Sequence, residues 1–319
     1  MHKSFTVIVV VFVILMTIGF IRKGKSVSQP SIAVIPKGMT HDFWKFVHKG
    51  AEEAGNEFGA RIYWNAPEIE TDREKQIQIV EDFVIKKVSG IVLAPLDDKA
   101  LVPLVEKLHK NNIPCVIIDS NVQTDKYLSF VATDNYAGGV MAARRMGKIL
   151  GGVGNVIVVK YAQGSASTTN REDGFIETIE KEFPDITIVD SQYGMATVET
   201  ALQTTEDMLT RNQNVQGLYA CNASTSVGAM RALMGQQRTE IKMVGFDAED
   251  ALVKALKEGT IDSLIVQNPY KMGYEGVKAI LESKKGKQIP KRIDTGVTVV
   301  TQDNMDQPEI SSLLKLQNQ

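Results

Sequence analysis

At 319 residues, 43% of them hydrophobic, the chain is long enough to bury two ordinary cores. Its 36 basic and 38 acidic residues balance to −2, with no Lys/Arg run long enough to neutralise a string of phosphates, so no nucleic-acid partner is expected. Four histidines and two cysteines form no cluster with metal-ligand spacing, and neither a metal nor a cofactor is expected.

The chain opens with 17 residues free of charge, Phe5 to Ile21, between His2-Lys3 and Arg22-Lys23-Gly24-Lys25. This is a hydrophobic export segment at the short end of what spans a bilayer. No small-x-small cleavage site follows it and no cysteine stands nearby for a lipid, so a cleaved signal and a retained anchor both fit. Residues 1–30 are assigned to this signal or membrane anchor and its tether, with 24–30 as a flexible link. The expected location is the periplasm or the outer face of the cytoplasmic membrane. The basic residues after the run leave a cytoplasm-facing anchor as the alternative.

Beyond the tether, strand and helix patterns alternate. Ser31 to Pro36 is an apolar run stopped by Lys37-Gly38. Phe43 to Phe58 is helical, with Phe43, Phe46, Val47, Ala51, Ala54 and Phe58 spaced by three and four. Arg61 to Asn65 is the next strand, and Thr71-Asp-Arg-Glu74 reads as a capping box opening a helix whose Ile77, Val80, Phe83 and Val84 face the core. Strands follow at Gly90 to Asp97 and Ile113 to Asp119; Cys115 and, later, Cys221 sit inside apolar runs and read as buried thiols. The second half repeats the order: strand Asn155 to Val159, helix Arg171 to Phe183, strand Ile186 to Asp190, helix Thr197 to Leu209, and strands at Gly217 and Ile241. Gly217 lies 127 residues after Gly90, Asp247 128 after Asp119, and Thr197 126 after Thr71. Such an offset implies two halves built alike.

This alternation predicts an α/β fold of two similar doubly wound lobes, each on a parallel sheet, with a ligand cleft between them. Ligands bind such sheets outside the carboxyl ends of the strands. Asp119, Asn222, Asp247 and Gln267 fall at those ends, with Phe43-Trp44 and Arg171 at helix starts. A sugar presents hydroxyls that both donate and accept, on a ring with apolar faces. Asp accepts, Asn and Gln do both, Arg donates in a fixed fork, and aromatic rings cover C–H faces. Taken singly, Asp119 and Asp247 read equally well as turn residues closing a strand, and Arg171 as a solvated helix-start residue. Their convergence favours a site. Phe43 and Trp44 are adjacent, so both are not expected to face one core.

An enzyme is not expected. Gly151-Gly-Val-Gly154 lacks dinucleotide and P-loop spacing and reads as a turn. Ser165, Ser167 and His41 have the types for nucleophile and base, but no G-x-S-x-G elbow is present. The hydroxyl-rich run Gly164 to Thr169 before a helix could hold an anion, which keeps a phosphorylated ligand open.

From Ser31 onward the chain resembles the exported sugar-binding proteins of ABC importers, in the ribose-binding-like group whose lobes are shared with LacI-type repressors. The resemblance rests on THDFW (40–44), VIIDSNV (116–122), VATDN (131–135), GSASTTNREDGF (164–175), ACNAS (220–224), MVGFDAE (243–249) and VQNPYKMGYEGV (266–277), in the family's order. It implies ligand contacts at His41, Phe43, Trp44, Asp119, Arg171, Asn222, Asp247 and Gln267. It also implies three crossovers between lobes, giving one lobe of residues 31–133 plus 268–296 and another of 134–267 plus 297–319. Ser120 stands where ribose binders often carry Arg, and His41 where they often carry Asn, which points to another pentose, hexose or sugar derivative. The partner implied is an ABC permease that reads the closed form. The alternative is a membrane-anchored sugar-sensing ectodomain signalling to a receptor or histidine kinase. A repressor is disfavoured because a hydrophobic segment replaces the DNA-binding helices.

Overall fold

Apolar runs bounded by Gly, Pro and Asp become the strands, and amphipathic stretches between them the helices, in a computed structural model that describes residues 29–39 and 41–316. The expected export segment and its tether as far as residue 28 lie outside the described residues; among those described, no helix is long and apolar enough to cross a membrane. In chain order the first elements are β1 (Ser31–Ile35), α1 (Asp42–Phe58), β2 (Arg61–Trp64), α2 (Arg73–Ile85), β3 (Gly90–Leu93), α3 (Val102–Lys110), β4 (Cys115–Ile118) and β5 (Ser129–Ala132). Next come α4 (Asn135–Leu150), β6 (Gly154–Lys160), α5 (Ala166–Glu182), β7 (Ile186–Tyr193), α6 (Val198–Arg211), β8 (Gly217–Ala220), α7 (Ala223–Gly235), β9 (Lys242–Phe246), α8 (Asp250–Glu258) and β10 (Ser263–Gln267). The chain closes with α9 (Pro269–Lys284), β11 (Arg292–Asp294), β12 (Val297–Val300) and α10 (Pro308–Leu316).

These strands form two six-stranded sheets, ordered β2-β1-β3-β4-β5-β11 and β7-β6-β8-β9-β10-β12. Every pairing is parallel except β12 against β10. Both sheets reverse their winding at the same place, between β1 and β3 and between β6 and β8, which opens a crevice at the carboxyl ends. The α/β architecture with two similar lobes is thus as expected. The chain passes between sheets three times: after β5, after β10, and between β11 and β12. At the last passage Gly296 takes φ 85°, and the Thr133 hydroxyl donates to its carbonyl at 3.1 Å, tying two crossings together.

Each lobe packs apolar clusters on both faces of its sheet, with Val92, Ile117, Val158 and Leu264 fully buried. Each such side chain contributes roughly 1.5–3 kcal/mol of burial. Glycines let one helix pair per lobe touch backbone to backbone. A Cβ at Gly50 or Gly273 would sit 2.0 or 1.9 Å from a carbonyl of the facing helix, α9 or α1. In the second lobe the same holds for Gly139 and Gly174, at 2.1 and 2.3 Å, where α4 crosses α5.

Local readings needed two corrections. The α2 cap is Asp72, whose carboxylate accepts from the Lys75 N–H at 2.9 Å, so the expected Thr71–Glu74 box does not form. A carboxylate one residue later outcompetes the hydroxyl for the same orphan donors. The helix expected from Arg171 begins five residues earlier, at Ala166, because the Ser/Thr run is itself its first turn.

Candidate functional site

β4 and β9 occupy corresponding places in the two sheets, and each ends in an aspartate with left-handed backbone. Asp119 has φ 60° and Asp247 φ 71°. Such a conformation costs a non-glycine residue about 1–3 kcal/mol and recurs where geometry serves a site. Each is held by its own N–H, which donates to the neighbouring strand at Val131 O (3.2 Å) and Ile265 O (2.8 Å). The turn aims both carboxylates into the space between the sheets.

Arg171, 2% exposed, enters that space from α5. Its Nε donates to Asn135 Oδ1 at 2.8 Å and its Nη1 to the Cys221 carbonyl at 3.1 Å, while the guanidinium lies 3.9 Å from the centre of the Phe246 ring. Its Nη2 stops 4.0 Å from Asp119 Oδ1 and has no hydrogen-bond partner. A buried charged donor in that state leaves hydrogen-bonding capacity for a ligand. Asp247 accepts from Gln267 Nε2 at 2.8 Å and from the Ala223 N–H at 3.0 Å. Burial raises the pKa of its carboxyl, opposed by Arg171. Asn222 caps α7 by accepting from the Thr225 N–H at 3.2 Å, and its Nδ2 points on to Ser224.

Phe43 and Trp44 are both buried, at 8% and 3% exposure, in an edge-to-face contact of 4.8 Å. The expectation that the two would not face one core fails: both belong to the first lobe's apolar cluster with Val34, Val47 and Met272. His41, just before α1, lies beside them.

All eight residues named from the sequence line one cavity between the lobes. It encloses about 360 Å³ of atom-free space, part of it open to solvent.

Sequence reasoning missed Lys37, Glu70 and Tyr161. Lys37, 3% exposed, pairs with Asp119 Oδ2 at 2.7 Å and donates to the hydroxyls of Ser120, Ser165 and Ser167 at 2.7, 3.1 and 3.1 Å. Ser165 and Ser167, in the run expected to be able to hold an anion, thus accept from this ammonium. Glu70 accepts from Trp44 Nε1 and from the Tyr161 hydroxyl, each at 2.5 Å. Burial first, and the Glu70 carboxylate second, hold the Tyr161 phenol well above its ordinary pKa, so it stays a donor. Only the apolar setting of Lys37 hinted at its place; Glu70 lies in an acidic loop that looks solvated.

Two buried cations and three carboxylates, with amides and two aromatic rings, suit a ligand that donates and accepts many hydrogen bonds around an apolar face. Among the described residues no group of His, Cys, Asp or Glu could hold a metal ion.

Residues 32–288 match the periplasmic binding protein domain family. A D-ribose/D-allose-binding protein of Pseudomonas aeruginosa is 30% identical over 281 residues, covering 84% of this chain and 86% of its own. Among solved structures, an ABC transporter solute-binding protein of Agrobacterium vitis with bound D-fucose is 37% identical, with a TM-score of 0.86 over 89% of this chain and 99% of its own. A carbohydrate transporter solute-binding protein of Agrobacterium radiobacter in complex with D-arabinose is 32% identical, with a TM-score of 0.88 over 91% and 100%.

Proposed function

The chain belongs to the periplasmic binding protein family, and on that premise we propose that it captures a monosaccharide between its lobes and presents it to an ABC importer. The observation that carries this reading is the cavity itself, where Asp119, Asp247 and the unpartnered Nη2 of Arg171 converge beside Phe43 and Trp44. One lobe would comprise residues 31–133 plus 268–296, the other 134–267 plus 297–319, with the three crossings as hinge. An open form admits the sugar, and the closed form gains contacts from both lobes, so the ligand shifts the population toward the shape a permease reads. Nothing in this cycle requires chemistry on the sugar. The relatives belong to importers, which favours delivery over the sensing ectodomain. Their location beyond the cytoplasmic membrane supports export of this chain too. The ligand is a pentose or hexose of the kind its relatives hold.

A thermal-shift screen with D-ribose, D-allose, D-arabinose and D-fucose tests this. A sugar at a hundred times its dissociation constant stabilises the protein by about 2.7 kcal/mol, which a melting curve resolves. Trp44 fluorescence should change with the same sugar in a Trp64→Phe background, since Trp64 stacks on His48 at 4.3 Å and would add its own signal. No shift with these sugars or their stereoisomers would sink the proposal.

A further inference from the structure

Glu70 borders two spaces. On one side lies the inner cavity with Arg171 and the two aspartates. On the other lies a groove at the mouth of the cleft, lined by Glu68 and Ile69 of the first lobe and by Ala196 to Glu199 of the second. His41 and Glu70 are the residues common to both, so together they form the partition.

The partition is fastened from both sides. Glu70 Oε1 accepts from Trp44 Nε1 within its own lobe, and Oε2 accepts from the Tyr161 hydroxyl of the other. Gly38 makes room for the Glu70 stem, since a Cβ there would stand 2.6 Å from Glu70 Cγ. Moving Glu70 aside would strip a buried carboxylate, a phenol and an indole of their partners at once. Unlike Asp119 and Asp247, which line the inner cavity only, Glu70 borders both spaces.

We propose that Glu70 sets ligand length: bridging Trp44 and Tyr161, it walls the inner cavity from the outer groove, so that a single sugar ring fits and a ring substituted toward the groove does not. This rests on the sugar-binding reading above. Glu70 acts as a positioning and specificity-determining residue, and its removal should join the two spaces.

The test uses the member of the four-sugar panel that binds, together with the full set of its mono-O-methyl ethers, titrated against wild type, Glu70→Ser and Tyr161→Phe. In wild type the ether directed at Glu70 should bind at least about tenfold more weakly than the parent sugar, the scale of discrimination one methyl gives in a tight pocket. In Glu70→Ser that ether should regain most of the loss relative to the parent sugar, while discrimination against the other ethers stays. Tyr161→Phe, which keeps the ring and removes only the bridging hydroxyl, should give part of the same gain and decides the matter if Glu70→Ser does not fold. Equal weakening of every ligand would show a merely structural Glu70 and overturn the proposal. So would a wild type that accepts all the ethers alike. If no sugar binds wild type, the sugar-binding reading fails first and the wall fails with it.

Discussion

In the first lobe α1 crosses α9 through Gly50 and Gly273, and in the second α5 crosses α4 through Gly174 and Gly139. β4 and β9 end alike in left-handed aspartates. The likeness stops at the helix starts. The first lobe brings Phe43 and Trp44 to the cleft at α1; the second brings Ser165, Ser167 and Arg171 on α5. The shared scaffold thus places two carboxylates symmetrically, and the differing helix starts give one lobe the apolar face and the other the hydroxyls and the guanidinium. Neither lobe alone supplies the lining of the cavity, so under the proposed function closure and recognition are one event.

The sharpest way to break this comparison is Arg171→Ala. It removes the cation that offsets the burial of Asp247, while Asp119 keeps Lys37 at 2.7 Å, and losing one partner of a buried charge set costs about 3–5 kcal/mol. The variant should melt far below wild type and bind no sugar. A melting curve and affinity close to wild type would show that the second lobe does not supply the electrostatic half of the site.

The shared half is tested by Gly139→Ala and Gly273→Ala. A methyl added at either would lie about 2 Å from a facing carbonyl oxygen, and overpacking of this kind costs typically about 1–3 kcal/mol. The two variants should lose stability by similar amounts in urea unfolding. If one is neutral, the lobes do not share a helix crossing of equal closeness.

How much of this was legible follows the same division. The strands and the paired aspartates were readable because apolar runs and a repeat offset are local signals. Asp247 was found by its distance from Asp119. Lys37 and Glu70 were not found, because a lysine ending a strand and a glutamate in Ala-Pro-Glu-Ile-Glu70 look solvated until a second lobe covers them. The burial of Phe43 together with Trp44 in one core was misjudged because adjacency alone does not show that the start of α1 is covered on more than one side. Thr71 lost its cap to Asp72 by a competition between neighbours that spacing alone does not decide.

The smallest effect concerns pH and sharpens the comparison where the lobes meet. Asp42 opens α1 in the first lobe, and Glu249 precedes α8 in the second; their carboxyls hydrogen-bond across the cleft. Burial and the nearby Asp42 push Glu249 up to about 8, with Asp247 adding to the effect. Asp42, although burial works the other way, is held below its ordinary value by hydrogen bonds from Lys45 and Glu249, with His41 adding a favourable charge. In the closed form Glu249 therefore keeps a proton that it gives up when the lobes part. A raised pKa sets the sign: the contribution to closure is complete below Glu249's ordinary value of 4.5 and is lost as pH rises through about 8. Sugar affinity should accordingly weaken from pH 5 to pH 8, by at least about tenfold, or 1.4 kcal/mol. Closure should take up a proton, visible as calorimetric heats that vary with the buffer's ionisation enthalpy. Glu249→Gln keeps the hydrogen bond without the titration and should flatten the affinity profile. Glu172, pushed up to about 7 by burial inside the second lobe alone, serves as the internal control. Its part in the pH dependence of melting should survive in Glu249→Gln, because it belongs to the folding of one lobe. An affinity profile equally steep in that variant would place the proton elsewhere and remove the carboxyl pair from the closing contact.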